Sequence, residues 1–255
     1  MSRTTRTLPT RLPRDIQAFL SSYPSQPSNP SATANLNFYQ NRIAAQPSAK
    51  RVIELQDHLR ENWQELEYNH SFIQWLFPIR EQGVNYGAQP LEVHEIDKLK
   101  SDPIAMDRLL ESYKIMLAFY GFKLVDPTTG ELEIQTSSPN TQRHYSKRFE
   151  NLERNPHNFL RITRILKCLN EFGFDQHPPL FLLYILALQS THGYLSSSAL
   201  MQSMDGYWKW CVRDDQDRQF VVDKIEAVRT GDSEFTVEDY QDWIRRRAQT
   251  RKQQS

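Results

Sequence analysis

The sequence predicts an all-α protein: a single multi-helix globular domain with a disordered N-terminal segment and a basic C-terminal tail. Three observations carry this. Apolar residues recur at three- and four-residue steps through most of residues 35–244, the spacing that lines one side of a helix. Prolines and glycines fall at the ends of these stripes, where each stops a helix. No alternation of apolar and polar residues runs long enough to require a sheet, and no internal repeat is found.

Residues 1–34 hold Pro9, Pro13, Pro24, Pro27 and Pro30 among many serines. Such a composition buries too little surface to offset chain entropy, so disorder is expected there apart from one short turn over residues 14–20. The folded unit, residues 35–244, begins at the cluster Asn35-Leu36-Asn37-Phe38-Tyr39. Val52, Leu55, Leu59, Trp63 and Leu66 place one stripe on a helix over residues 49–68, and Phe72, Ile73, Leu76 and Phe77 continue it to Pro78, which ends it. Asp102-Pro103 is a capping residue followed by proline at the first helical position. It opens a helix that carries Met106, Leu109, Tyr113, Met116, Leu117 and Tyr120 and closes at Gly121. Asp126-Pro127-Thr128-Thr129-Gly130 spells a turn, and residues 131–140 read as loop with at most one brief extended piece.

Asn155-Pro156 introduces a further stripe, Phe159, Ile162, Leu166, Leu169 and Phe172, closed by Gly173. After Pro178-Pro179, residues 180–188 are apolar on every side, the mark of a central buried helix. Residues 196–204 and 207–212 read as helix interrupted at Asp205-Gly206, and Phe220, Val221, Ile225 and Val228 mark another that Gly231 ends. Thr236 with Asp239 three residues on is an imperfect capping pattern for a last helix through Trp243 and Ile244. Residues 245–255 form the basic tail.

Composition narrows the function classes. Hydrophobic residues make up only 38%, but 5 Trp, 11 Tyr and 13 Phe supply enough large side chains for a core. The 31 basic and 31 acidic residues cancel, so no overall field draws nucleic acid or an anionic membrane. The tail basic residues Arg245, Arg246, Arg247, Arg251 and Lys252 come without a recognition motif, so nucleic-acid binding is not expected. Cys168 and Cys211 lie far apart among apolar residues and read as reduced core residues of a cytoplasmic or nuclear protein. A secretory signal is not apparent, and residues 180–188 are too short to span a bilayer, which leaves peripheral membrane association only. Nucleotide, hydrolase and zinc-protease motifs are absent, and the seven histidines do not pair at metal-ligand spacing. No catalytic residue, metal or cofactor is therefore assigned, and the chain reads as a non-catalytic peptide- or protein-binding module. A helical enzyme that assembles its site in space is the alternative.

Two polar constellations stand out. Glu67, His70 and Gln74 fall at steps of three and four, so on one helix they share a face. With Trp75, Arg80 and Asn85 they are candidates for a ligand pocket with an aromatic wall and a cation, suited to a peptide with an aromatic residue and a free carboxylate. The competing reading, which the usual internal pairing of buried polar groups favours, is that His70 and Gln74 bridge neighbouring helices by hydrogen bonds. His157, Asn158, Arg161 and Arg164 start a helix, where free N–H groups favour a phosphate or carboxylate. The competing reading pairs these cations with Glu150, Glu153 or another helix's carboxylate.

The run Tyr68-Asn69-His70-Ser71-Phe72-Ile73-Gln74-Trp75-Leu76-Phe77-Pro78-Ile79-Arg80-Glu81, followed by Gly83-Val84-Asn85 and Pro90-Leu91, resembles the signature of the opioid growth factor receptor conserved region. Four further segments match in the same order: residues 35–39, Met116-Leu117-Ala118-Phe119-Tyr120-Gly121, residues 145–152 and residues 157–166. The resemblance covers residues 35–222 and weakens after Gly173. It implies binding of an opioid peptide of the Met-enkephalin type, association with membranes of the nucleus or cell interior, and growth regulation. The family is unrelated to seven-helix opioid receptors. Its animal receptors carry a long C-terminal region with peptide repeats, which this sequence is expected to lack.

Overall fold

The structure, a computed structural model, describes residues 12–24, 26–27, 29–136 and 145–252, with side chains to residue 249. The ends of the chain and the last part of the expected loop after residue 136 lie outside them. Thirteen α-helices among the described residues, one 3-10 turn and one two-stranded hairpin build a single hydrophobic core. The all-helical class holds, and the hairpin is an addition to it.

Helix α1 (Arg14–Leu20) stands where one short turn was expected, and its burial is the first departure from expectation. Its Ile16 and Phe19 are both fully buried, and with Leu12 and Tyr23 beside it the region expected to be disordered contributes four buried apolar side chains. The prolines flank this helix instead of filling it: Pro13 is the N-cap residue, where proline's fixed φ costs nothing, and Pro24 follows the helix. Helix α2 (Ala34–Tyr39) is held at its N-terminus by a buried carboxylate, Glu95 of α6 (Val93–Lys100), which accepts from Leu36 N–H at 3.1 Å and Asn35 Nδ2 at 2.9 Å. A carboxylate at that position satisfies an orphan amide and suits the helix dipole.

The single helix expected over residues 49–68 is two, α3 (Val52–Leu59) and α4 (Trp63–Tyr68). Between them Glu61 adopts φ +56° and Asn62 caps α4 by accepting from the Glu65 amide. A short α5 (Ile73–Leu76) follows after a bend at residues 69–72. Asp102 caps α7 (Pro103–Tyr120) through Ile104 and Ala105, and Gly121 ends it at φ +92°. From there β1 (Phe122–Asp126) turns back through Gly130 to pair antiparallel with β2 (Glu131–Ile134). Buried Phe122 and Leu124 alternate with exposed Lys123 and Val125, a pattern too short to announce itself as a sheet.

Helices α8 (Tyr145–Arg154) and α9 (His157–Glu171) lead to α10 (His177–His192), the centre of the molecule. Every side chain from residue 177 to 189 is buried, as expected of a helix apolar on all sides, and each fully buried Leu or Ile contributes about 1.5–3 kcal/mol. Around α10 pack α9, the hairpin, α12 (Asp215–Thr230) and α13 (Val237–Lys252), with the 3-10 turn Trp208–Cys211 after α11 (Ser198–Gly206). Thr236 and Asp239 cap α13 reciprocally, at 2.8 and 3.1 Å. The helix runs through Lys252, so the first part of the expected tail is its continuation. Cys168 and Cys211 are both buried free thiols.

Candidate functional site

The two constellations predicted separately come together at the start of α9. Because α4 stops at Tyr68 and α5 begins only at Ile73, His70 sits in the bend and not on a shared helix face. It faces α9, whereas Gln74 is buried against Gly83, where an added Cβ would stand 2.6 Å from Gln74 Cγ. The expected common face of Glu67, His70 and Gln74 is thus broken by the chain reversal at residues 69–72.

Arg161 is the joint of the site. Only 4% of its surface is exposed, and its guanidinium donates to the carbonyls of Leu66 (2.5 Å), Asn69 (2.9 Å) and Glu67 (3.4 Å) and to Asn158 Oδ1 (3.0 Å). The ring of Phe72 lies 5.3 Å below it. Its remaining contact, 3.1 Å to His70 Nδ1, fixes the histidine tautomer. An arginine can only donate, so Nδ1 accepts and the ring proton is on Nε2. Burial, helped by the cation of Arg161 and opposed by Glu67, lowers the His70 pKa and keeps the ring neutral at neutral pH.

Glu67 supplies the anion. Its carboxylate lies 2.9 Å from His157 Nε2 and accepts from Asn151 (2.7 Å) and Asn158 (3.3 Å). The start of α9 thus already holds a carboxylate, contributed by α4. His157 meets His70 edge to face at 4.9 Å between ring centres. Its pKa is lowered by burial first, with Glu67 opposing and Arg161 and His70 assisting. Arg164, one turn further on, leaves the group and donates to the Phe77 carbonyl at 2.7 Å.

The other ligand candidates serve the loop after α5. Trp75 is buried on Phe38 and donates from Nε1 to the Gln46 carbonyl. Asn85 donates to that same carbonyl and to Ser71 O, at 2.8 and 2.9 Å. Arg80 turns away to Ser22 O and stacks over Tyr23. Held this way, the loop carries Val84 and Tyr86 78% and 88% exposed, while Tyr68, two residues before His70, and Leu160, three after His157, are 78% and 75% exposed. These apolar residues were not singled out in the sequence. Their signal is weak there, since a Tyr or Val next to a helix end reads as ordinary core.

A second buried polar group lies further along α9. Lys167, with its side chain 1% exposed, bonds Asp15 of α1 at 2.8 Å and Glu81 at 2.7 Å. Its place inside the apolar run Ile165-Leu166-Lys167-Cys168-Leu169 was the available sequence signal. Among the described residues no group of His, Cys, Asp and Glu is arranged to hold a metal ion, and no helix is long and apolar enough to cross a membrane.

The model of the opioid growth factor receptor conserved region matches residues 28–242. The chain is 36% identical over 224 residues to the opioid growth factor receptor of Mus musculus, covering 87% of this chain and 34% of that protein. Its counterpart in Homo sapiens gives the same identity, over 87% of this chain and 32% of that protein. The opioid growth factor receptor-like protein 1 of Mus musculus is 36% identical over 189 residues, 73% of this chain and 38% of its own length. The chain spans about a third of the length of these relatives. No solved structure matches it. With the family region spanning most of the chain, including α9 and the bend it clasps, the protein belongs to the opioid growth factor receptor family.

Proposed function

We propose that the chain is a non-catalytic binding module whose ligand is a peptide or protein segment, taken on the face around His70 and His157. The observation that carries this reading is that Tyr68, Val84, Tyr86 and Leu160, each at least three-quarters exposed, lie on segments tied to one another through the His70–His157 and Asn85–Ser71 contacts. They are connected. Leu160 lies one turn after His157 on α9, His157 touches His70, and Asn85, between Val84 and Tyr86, donates to Ser71. Exposed apolar groups on segments that also carry a few fixed polar groups suit recognition of a peptide with an aromatic residue. Neutral His70 offers an Nε2 donor at that surface, suited to a peptide carbonyl or carboxylate.

The names of the relatives favour an opioid peptide as ligand. A helical enzyme has less support, because the Glu67 carboxylate and the Arg161 guanidinium are spent on contacts within the protein. The two buried free thiols fit a reducing compartment, cytoplasm or nucleus, and any membrane association would be peripheral. An NMR titration of the chain with a Met-enkephalin-type pentapeptide tests the assignment. Shifts at residues 68–71, 84–86 and 157–160 are expected, lost in a Tyr68→Ala, Leu160→Ala double variant that keeps the parent melting temperature. Shifts confined to another face, or none at saturating peptide, overturn it.

A further inference from the structure

Helix α1 makes its contacts in the manner of a bound peptide. Asp15 in its first turn meets Lys167, and its carbonyl end meets two guanidinium groups: Arg213 Nη2 donates to Phe19 O at 3.4 Å and Arg80 Nη1 to Ser22 O at 2.9 Å. Cations at a helix C-terminus and a cation against an acidic first turn read the direction of the helix as well as its charge. Between these ends Ile16 and Phe19 are fully buried, with Arg213 4.4 Å from the centre of the Phe19 ring. At seven residues α1 is too short to be helical alone in water, so its helicity comes from docking.

The cations beneath it keep carboxylate partners without it. Lys167 keeps Glu81 at 2.7 Å, and Arg213 keeps Glu171 at 2.6 Å. Departure of α1 therefore leaves neither cation without a carboxylate, and Asp15, nearly half exposed, returns to water at little cost. The residues matched to the family, 28–242, include this floor and exclude α1.

We propose that α1 is a displaceable intramolecular ligand: it fills a groove formed by α9, the corner at Arg80 and Glu81, and the Trp208–Cys211 turn. The trans occupant is a short helix of a partner protein with an acidic residue followed by apolar residues one and four positions on, as Asp15, Ile16 and Phe19 are arranged. This groove is separate from the face around His70.

Two measurements on the full chain test it. By hydrogen exchange, the amides of residues 17–21 should exchange at least about tenfold faster than those in the middle of α9, through local opening. Exchange of α1 only with global unfolding would make it an integral core element and sink the proposal. A labelled peptide of residues 12–24 should bind a Phe19→Asp chain at least about tenfold more tightly than the unmodified chain, where the tethered copy competes. The same peptide carrying Asp15→Lys should not bind. If the variant folds cooperatively and the parent peptide fails to bind it, the groove has no such specificity and the proposal is overturned. Should the variant not fold, the exchange result on the unmodified chain decides.

Discussion

Replacing Arg161 by alanine should destabilise the protein by about 4 kcal/mol. The guanidinium satisfies Leu66 O and Asn158 Oδ1 in fully buried surroundings, and each acceptor stranded there costs roughly 1–3 kcal/mol. Asn69 O and the exposed ring of His70 are rehydrated and add little. Loss of packing on Phe72 adds about 1 kcal/mol. Glu67 keeps His157, Asn151 and Asn158, so no unpaired buried carboxylate enlarges the sum. Lysine at the position keeps one point donor but not the fork, and half the loss, about 2 kcal/mol, is expected. Urea denaturation at pH 7.5, followed by tryptophan fluorescence, measures both variants. A loss under about 1 kcal/mol for Arg161→Ala would show that water replaces the arginine, and would refute the view that this side chain pins the 66–70 bend to α9.

Two further changes probe the frame that carries the site. His177 is 2% exposed, and burial, opposed by the Pro127 carbonyl and Asp126, lowers its pKa to about 4. The unfolded chain takes up this proton near pH 6.5 and the native protein only near pH 4, so the contribution is complete above pH 6.5 and fades as pH falls. The window is worth about 3 kcal/mol, at about 1.4 kcal/mol per pH unit. Urea midpoints between pH 7 and pH 4.5 should fall more steeply for the parent than for His177→Gln, and parallel slopes would contradict the buried neutral ring. Gly121→Ala should cost about 2 kcal/mol in Tm-derived stability, because φ is +92° and the new Cβ would stand 3.0 Å from Arg148 Cβ and the Phe149 ring. An unchanged melting curve would count against that geometry.

Local signals were legible, and long-range ones were not. Asp102-Pro103, Gly121, Gly173, Gly231 and the Thr236/Asp239 pair each act where the sequence put them, because a cap is decided within four residues. The break between α3 and α4 was missed, since Leu59 and Trp63 keep a four-residue step across it. The clue was polar Arg60-Glu61-Asn62, with a good N-cap residue directly before Trp63. A carboxylate of another helix does meet the start of α9, Glu67 at His157, 90 positions apart with no periodicity relating them, whereas Arg161 and Arg164 donate to backbone carbonyls. The hairpin, and the burial of α1 where only a short turn was expected, escaped for the same reason. Each segment is too short to show a pattern, and each is stabilised by distant contacts, such as Leu132 N–H donating to the Tyr240 hydroxyl.

Helix α9 shows why polar residues gather inside the fold. His157, Arg161, Arg164, Lys167 and Glu171 follow one another at steps of four, three, three and four, a single stripe opposite the apolar one. In an ordinary surface helix this stripe would face water. Here its successive turns meet Glu67 and the 66–70 carbonyls, then Phe77 O, then Glu81 and Asp15, then Arg213. Both sides of the helix are therefore internal, and its charges hold the fold. That assigns the two kinds of residue at the candidate site to different measurements. Arg161 is expected to act on stability, while under the proposed function Tyr68 and Leu160, both exposed, are expected to act on ligand binding. A variant pair that reversed those roles would locate the binding surface elsewhere.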